Sequence, residues 1–323
     1  MSRTRFLLLA IAGFLLALAT PAVSQQDYPN RPIRLIIPFP PGGSNDIVGR
    51  AIATQLSEKL GKQVVVDNRT GAAAIVGTEI ASKAPADGYT ILMVSLAHAL
   101  NQSLYKLPYD PAKAFAPIGI IATGTGALTV HPSLPAHSVK ELIAMAKAKP
   151  GELTYASSGV GTFQHLTAEL FRLEAKIDLL HVAFRGGGPA LADVLGGHNK
   201  IMFSSVVNIA PHVKSGRLRA LGTGGLQRDR ALPDVPTIAE AGVPAYEASQ
   251  WWGLLAPAGT PQPIIARLHQ ALSEVQDVPA ILEQFEKEGV SIKKMGPAEF
   301  GPFIASEVQK WGRVIKAAGI KAE

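Results

Sequence analysis

The chain has 323 residues, 31 lysines and arginines against 25 acidic residues, a formal net charge of +6, and no cysteine. Apolar residues make up 47% of the chain and charged residues only 17%, which excludes a wholly disordered protein and supplies enough material for large cores. The absence of cysteine excludes thiol catalysis, disulfides, cysteine-based zinc or iron–sulfur sites, and lipid attachment through an N-terminal cysteine.

The N-terminal segment has the pattern of an export signal. Arg3 and Arg5 precede the apolar stretch Phe6–Ala19, and Ala22–Ser24 is a small-x-small triplet. This pattern predicts a cleaved secretory signal peptide over residues 1–24. The alternative is a membrane anchor, but the fourteen residues of the apolar stretch rise about 21 Å as a helix, less than the roughly 30 Å of a bilayer core. We therefore expect a soluble protein exported to the periplasm.

The charge of the remaining chain is mild. Removal of the predicted signal peptide takes away two arginines and no acid, which leaves 29 basic and 25 acidic residues and a net charge of +4. The cations are scattered, so a nucleic-acid partner is not expected. A mild positive charge suits anionic small molecules.

Short apolar runs alternate with helical segments from the start of the mature chain. Ile33–Phe39, Gln63–Asp67 and Tyr89–Ser95 have the nearly continuous apolar pattern of buried parallel strands. Between the first two runs, apolar residues fall on one helical face, which predicts a helix that Ser44 caps and Gly61 ends. These elements predict a first doubly wound α/β unit.

A second α/β unit follows. Its predicted strands are Leu153–Ser157, Ile177–Phe184, Lys200–Ser204 and Leu218–Thr223. A further strand is predicted over Tyr246–Pro257, followed by three helices with no strand between them, which we expect to pack on the first unit.

This order requires the chain to cross twice between the units, near Gly124–Val130 and near Pro244–Ser249. We expect residues 25–126 and 245–323 to form domain 1 and residues 127–244 to form domain 2. The predicted fold class is α/β, with two doubly wound domains joined by two crossover segments around a hinged cleft.

Three glycine-rich turns each lie between a predicted strand and a predicted helix. We call Pro40–Asp46 the first turn, Ser157–Thr162 the second turn and Arg185–Pro189 the third turn. Bare backbone N–H groups at a helix N-terminus bind carboxylates and phosphates, and ligands of open α/β sheets collect at the carboxyl ends of the strands. The sequence therefore predicts an anion site where the turns meet.

The expected ligand-binding residues lie in or beside these turns and at two other strand ends. They are Pro41, Gly42, Gly43, Ser44, Asn45, Ser95, Ser158, Gly159, Gly161, Thr162, His165, Arg185 and Ser204. Two of them have an alternative interpretation. His165 either contacts the ligand or lies at the edge of an apolar core, and Arg185 either pairs with a ligand carboxylate or is a solvated surface charge.

Motifs for cofactors and catalysis are missing from the sequence. Gln164 stands where the dinucleotide fingerprint needs its third glycine, and no P-loop or H-E-x-x-H pattern is present. Ser157 and Ser158 lack the G-x-S-x-G elbow of many hydrolases. We expect no cofactor, no metal and no catalysis, with an exported hydrolase as the alternative of another class.

Several longer motifs follow one another in order along the mature chain. They are Tyr28-Pro29-x-Arg31-Pro32-Ile33, Phe39-Pro40-Pro41-Gly42-Gly43, Val66-Asp67-Asn68-Arg69, Ala86-Asp87-Gly88-Tyr89-Thr90, Tyr155-Ala156-Ser157-Ser158-Gly159-x-Gly161-Thr162, Leu232-Pro233-Asp234-Val235-Pro236-Thr237 and Ala256-Pro257-Ala258-Gly259-Thr260-Pro261. Together they resemble the Bug family, the substrate-binding proteins of tripartite tricarboxylate transporters. The resemblance covers essentially the whole mature chain.

The resemblance implies a type 2 periplasmic binding protein, of Venus flytrap architecture, that closes on a small carboxylate and delivers it to the permease subunits of a transporter. It implies that the first and second turns hold the carboxylate through backbone amides, hydroxyls and ordered waters. We expect a monomer. The alternative partner of the liganded protein is a signalling receptor.

The sequence departs from the family's usual pattern at positions that bear on specificity. Thr70, Ala72–Ala74, Val160, Phe184-Arg185 and Ser204-Ser205 replace proline, glycines, a polar residue, a tyrosine-lysine pair and an aspartate. Loss of an acid and retention of a cation predict a site that favours anions over amino groups.

Overall fold

The computed structural model describes residues 28–320, so the predicted signal peptide lies outside the described residues. The helices are α1 (Ser44–Leu60), α2 (Ile75–Ser82), α3 (Leu96–Leu104), α4 (Val139–Ala148), α5 (Phe163–Ala175), α6 (Gly187–Leu195), α7 (Val206–Lys214), α8 (Gln262–Val275), α9 (Pro279–Lys287) and α10 (Pro297–Ala318). The strands are β1 (Ile33–Ile37), β2 (Val64–Asn68), β3 (Thr90–Ser95), β4 (Phe115–Val130), β5 (Thr154–Ser157), β6 (Leu180–Ala183), β7 (Ile201–Ser205), β8 (Arg219–Thr223), β9 (Ser249–Pro257) and β10 (Val290–Ile292).

The first group of strands confirms the predicted parallel arrangement. β1 lies between β2 and β3, parallel to both. Gly61 ends α1 in the left-handed conformation, as predicted, with φ of 67°. The prediction that Ser44 caps this helix is wrong: Gly43 is the N-cap residue, Ser44 is the first helical residue, and no side chain caps the helix.

One long strand makes the crossing predicted near Gly124–Val130. β4 pairs with β9 from Phe115 to Thr125 and with β7 from Gly126 onward, so a single strand belongs to both halves of the sheet. Its glycines and threonines interrupt the apolar pattern, and that interruption conceals the strand in the sequence.

The second group of strands forms the other half of the sheet. β5 lies between β6 and β7, parallel to both, and β8 pairs with β4 in the antiparallel direction. Separate clusters of buried apolar side chains fill the two halves. One is centred on β1 and β3 with α1 and α8, and another on β7 with α4 and α5.

The C-terminal helices pack on the first half, as predicted: α8 lies against α1, and α10 lies against α3 and β4. The expectation that no strand separates these helices is wrong, because Val290–Ile292 forms β10 and pairs with Ala122–Gly124. Three residues are too few for an alternating pattern to reveal a strand.

The described strands therefore form one sheet that serves two α/β units, joined by β4 and by the segment that leads into β9. The domain boundaries near residues 126 and 244 stay a prediction. Among residues 28–320, no helix combines the length and the apolar character needed to cross a bilayer.

Candidate ligand-binding site

The first turn is held by a buried carboxylate. Asp46 is 5% exposed and accepts hydrogen bonds from the Gly42 N–H (3.0 Å), Arg50 Nε (2.9 Å) and Asn68 Nδ2 (2.9 Å). Burial alone would raise the pKa of the Asp46 carboxyl, but these hydrogen bonds, with the charge of Arg50, lower that pKa below its ordinary value. Gly42 has a φ of +81°, a left-handed conformation that glycine adopts without the strain a side chain would cause.

The second turn is held by neutral side chains. The Gly159 N–H donates to Ser157 Oγ (3.1 Å), and Thr162 Oγ1 donates to the Gly159 carbonyl (2.7 Å). The Gly161 N–H donates to His165 Nδ1 (3.2 Å). Burial, with the neighbouring His181, lowers the pKa of His165 to about 4, so His165 is a neutral acceptor at pH 7.

The third turn touches the first turn across the cleft. A Cβ atom on Gly186 would lie 2.5 Å from Pro40 Cγ, and one on Gly188 would lie 3.6 Å from the Pro41 carbonyl oxygen. A second contact joins the two units, since Tyr105 Oη donates to the Val160 carbonyl (3.1 Å). The two units are therefore closed on each other at the site.

Five helices begin at one cavity, each directly after a strand. They are α1 after β1, α3 after β3, α5 after β5, α6 after β6 and α7 after β7. Their N-cap residues are Gly43, Ser95, Thr162, Gly186 and Ser205, and in none of the five does a side chain cap the free N–H groups.

This first cavity has about 480 Å³ of empty space, a volume that includes space open to solvent. It is lined by Phe39, Pro40, Gly43, Ser44, Asn45, Ser95, Ala97, Ser158, Thr162, Phe163, Gln164, Gly187, Ser205, Asn208 and Gln250. None of these side chains carries a charge. The positive potential of the cavity therefore comes from backbone N–H groups at five helix N-termini, each equivalent to roughly half a positive charge.

One hydroxyl in the first cavity has no hydrogen-bond partner among residues 28–320. Ser205 is 2% exposed, and its Oγ makes no hydrogen bond to any described residue. A buried hydroxyl that lacks a hydrogen bond costs roughly 1–3 kcal/mol. A ligand oxygen in the cavity would satisfy it.

The structure brings most of the expected binding residues to the cleft. Gly43, Ser44, Asn45, Ser95, Ser158 and Thr162 line the first cavity. Five others lie outside its lining: Pro41 and Gly42 shape the first turn, Gly161 belongs to the second turn and donates to His165, and Ser204 Oγ accepts from Gln164 Nε2 (3.0 Å). Gly159 and Arg185 line a second, adjoining cavity.

Sequence reasoning missed four polar side chains of the first cavity. Gln164 Oε1 accepts from the Ser158 N–H (2.6 Å), and Gln250 Nε2 lies 3.4 Å from Ser44 Oγ. Asn208 and Ser205 extend from the start of α7. The one available signal was a polar residue in an otherwise apolar run, as Gln250 is beside Trp251.

The second cavity has about 950 Å³ of empty space. It shares Phe39, Pro40 and Ser158 with the first cavity, so the two adjoin. Its other lining residues are Pro38, Thr70, Gly71, Ala72, Ala73, Ala74, Tyr105, Gly159, Val160, Phe184, Arg185 and Gly186.

One serine–histidine pair lies close to the site. Ser157 Oγ and His181 Nε2 are 2.6 Å apart, the His181 ring stacks on His165 at 4.2 Å, and Ser157 is fully buried. Neither Ser157 nor His181 lines the first or second cavity. Over residues 28–320, no group of three or more histidine and acidic side chains is arranged to hold a metal ion.

Two closed α/β units with an uncharged, N–H-lined cavity between them define a solute-binding protein of the periplasmic type. The family model described as "Tripartite tricarboxylate transporter family receptor" matches residues 48–320. The chain belongs to this family, which includes the Bug proteins of the resemblance noted in the sequence.

Similar proteins agree with this assignment. The chain is 38% identical over 326 residues to the protein BugT of Bordetella pertussis (strain Tohama I), which covers 99% of both chains. Its structure is similar to that of R. palustris Rpa4515 with adipate, with a TM-score of 0.89, 33% identity, and coverage of 91% of this chain and 99% of the other. It is also similar to MatC from Rhodopseudomonas palustris with bound malate, with a TM-score of 0.85, 29% identity, and coverage of 89% and 100%.

Proposed function

We propose that this protein captures a small carboxylate between its two units and delivers it, chemically unchanged, to the permease subunits of a tripartite tricarboxylate-type transporter. It acts as a monomer in the periplasm, after removal of residues 1–24. Residues 25–126 with 245–323 and residues 127–244 move as the two domains that open and close the cleft.

The single observation that carries this proposal is the convergence of five uncapped helices on a cavity with no charged lining residue. Such a cavity attracts an anion without offering a cation that would hold it permanently. The unpartnered hydroxyl of Ser205 adds a donor that can bind an acceptor oxygen of the ligand. A carboxylate has two such oxygens with several lone pairs.

The expected binding strength is adequate for uptake. Hydrogen bonds to a charged group contribute about 1.5–3 kcal/mol each, and a micromolar dissociation constant needs about 8 kcal/mol. Four or five N–H and O–H donors on one carboxylate reach that value after a discount for domain closure. Ser44, Ser95, Ser158 and Ser205 supply the hydroxyl donors of this proposal, beside the backbone of Gly43 and Thr162.

The absence of catalysis is part of the proposal. The serine with an adjacent histidine, Ser157, is the fully buried first residue of the second turn and does not line the first cavity. A nucleophile must reach the substrate, so this pair supports the fold of the turn rather than hydrolysis.

Calorimetric titration of the purified protein with mono-, di- and tricarboxylates tests the function. We expect at least one to bind with a micromolar or lower Kd and to be recovered unchanged. Ser205→Ala should raise the Kd of that ligand about tenfold. The free energy of unfolding should not fall, because Ser205 Oγ has no hydrogen bond to lose among the described residues. The control Ser306→Ala removes an exposed hydroxyl on α10 and should bind like wild type.

Two results would contradict the proposal. Failure of every carboxylate to bind a protein shown to be folded would exclude the carboxylate receptor. Conversion of a bound carboxylate to a product would show an enzyme. Capture of the liganded protein by membranes that contain the permease, and not by membranes that lack it, tests the transporter partner.

A further inference from the structure

The second cavity differs from the first in its chemistry. Its walls are mainly apolar: Pro38, Phe39, Ala72–Ala74, Val160 and Phe184 contribute to them. Arg185 is the single charged side chain among the described residues that line either cavity. No acidic side chain of residues 28–320 lines them, so an anion inside meets no like charge.

Arg185 itself is available to a ligand. Its side chain is exposed, and among residues 28–320 it makes no ion pair or hydrogen bond. Arg172, in the same unit, instead pairs with Glu169 and Asp178. A guanidinium that lines a ligand cavity without a carboxylate partner is well suited to bind one from a ligand in a bidentate manner.

The backbone beside Arg185 is held in place. Gly186 has a φ of +130° and packs against Pro40 of the first turn, so the third turn closes over the junction of the two cavities. Arg185 therefore lies on the wall of the second cavity directly beside the point where the two units meet.

Three alanines on the wall of the second cavity have an unusual backbone conformation. Ala72, Ala73 and Ala74 all have left-handed backbone, with φ of 44°, 51° and 81°. Non-glycine residues rarely adopt this conformation, which persists where surrounding contacts enforce it, commonly at ligand sites. Asn101 Nδ2 donates to the Ala73 carbonyl (2.7 Å) and secures the segment. The conformation presents three small methyl groups beside an apolar space.

We infer that the ligand is a dicarboxylate with an unsubstituted apolar chain. One carboxylate binds at the five helix N-termini of the first cavity, the chain lies along the apolar walls of the second cavity, and the other carboxylate pairs with Arg185. This inference rests on the proposed function, because it assigns the second half of the ligand only if the first cavity binds a carboxylate.

A matched ligand series tests the inference by calorimetry. The ligands are straight-chain α,ω-dicarboxylates of increasing length, the monocarboxylate and the ω-monoamide of each length, and the corresponding ω-amino acid. Wild type should prefer the best dicarboxylate over its monocarboxylate and monoamide about tenfold or more, and should bind the ω-amino acid least. Arg185→Gln should remove that preference, and Arg185→Lys should retain part of it, because lysine keeps the charge but not the bidentate geometry.

Arg217→Gln is the matched control, since Arg217 is exposed in the same unit and lines neither cavity. It lowers the net charge by the same amount and should keep the full preference for the dicarboxylate. Equal binding of dicarboxylate and monocarboxylate by wild type, with no effect of Arg185→Gln, would overturn the inference and leave the carboxylate receptor standing. An equal loss of the preference for the dicarboxylate in Arg185→Gln and Arg217→Gln would also overturn the inference. Failure of all carboxylates, as described above, would instead reject the proposed function.

Discussion

The first and second turns approach the same cavity but are stabilised by opposite kinds of interaction. In the first turn, the ionised carboxylate of Asp46 accepts from the Gly42 N–H and pairs with Arg50, whose own side chain is half exposed. In the second turn, the neutral imidazole of His165 accepts from the Gly161 N–H in a buried stack with His181. One turn depends on a charge, and the other depends on the absence of a charge.

This difference predicts that acid acts on the two turns in separate pH ranges. A carboxyl with a lowered pKa keeps its stabilising charge until the pH falls below the ordinary aspartate value of about 4. A histidine with a lowered pKa begins to favour the unfolded chain as soon as the pH falls below its ordinary value of about 6.5. The second turn should therefore weaken first on acidification.

The largest expected effect is the acid dependence of the second turn. Between pH 6.5 and 4 the unfolded chain binds a proton that the folded His165 excludes, because the folded pKa is about 4. The free energy of unfolding should fall over this range by roughly 3 kcal/mol from His165. Above pH 6.5 His165 contributes no pH dependence. Urea unfolding of His165→Gln, which retains an acceptor but does not titrate, should show a smaller decrease by about that amount.

The matched control for this experiment is His137→Gln, because His137 is exposed and lies away from the site. Burial also lowers the pKa of His98, to about 4, so wild type and both variants share that contribution. If the free energy of unfolding fell equally between pH 6.5 and 4 in His165→Gln and His137→Gln, the second turn would not depend on a neutral imidazole.

The next largest effect is the loss of the carboxylate in the first turn. Asp46→Ala leaves the Gly42 N–H without its acceptor and Asn68 Nδ2 with only the Phe39 carbonyl, which should lower the free energy of unfolding at pH 7 by about 2 kcal/mol. The control Asp178→Ala removes an exposed partner of Arg172 and should cost less than about 1 kcal/mol.

The same two variants sharpen the comparison of the turns. Asp46→Ala should leave the stability change between pH 6.5 and 4 as in wild type, because the lowered pKa of Asp46 places its titration below that range. A smaller acid dependence in Asp46→Ala would mean that the two turns titrate together, and the separation proposed above would be wrong.

The sequence predicted the features of the site that are local. A glycine-rich turn between an apolar run and a helical run is visible in a short window, and all three turns lie where the strands end. The buried carboxylate that holds the first turn is four residues from Gly42, yet its role depends on Asn68, which a neighbouring strand brings into contact.

The site residues that the sequence did not reveal depend on pairing between distant strands or on the register of a strand by one residue. Gln250 reaches Ser44 because β9 returns beside β3, about two hundred residues after the first turn. Ser204 was expected in the site, but β7 ends one residue later, so Ser205 faces the cavity and Ser204 binds Gln164. Four departures from the family pattern, scattered in the sequence at Thr70, Ala72–Ala74, Val160 and Phe184-Arg185, lie together on the walls of the second cavity.

The smallest expected effect compares one hydroxyl from each turn. Thr162 Oγ1 donates to the Gly159 carbonyl (2.7 Å), so Thr162→Ala should destabilise the second turn by about 1 kcal/mol. Ser44 Oγ has a longer contact, 3.4 Å from Gln250 Nε2, and remains free to donate to a ligand. Ser44→Ala should therefore leave the free energy of unfolding nearly unchanged and weaken the best carboxylate by a few fold. Urea unfolding and calorimetry of both variants measure the two effects, and a stability loss in Ser44→Ala as large as that in Thr162→Ala would show that the first turn also relies on its hydroxyl rather than on Asp46 alone.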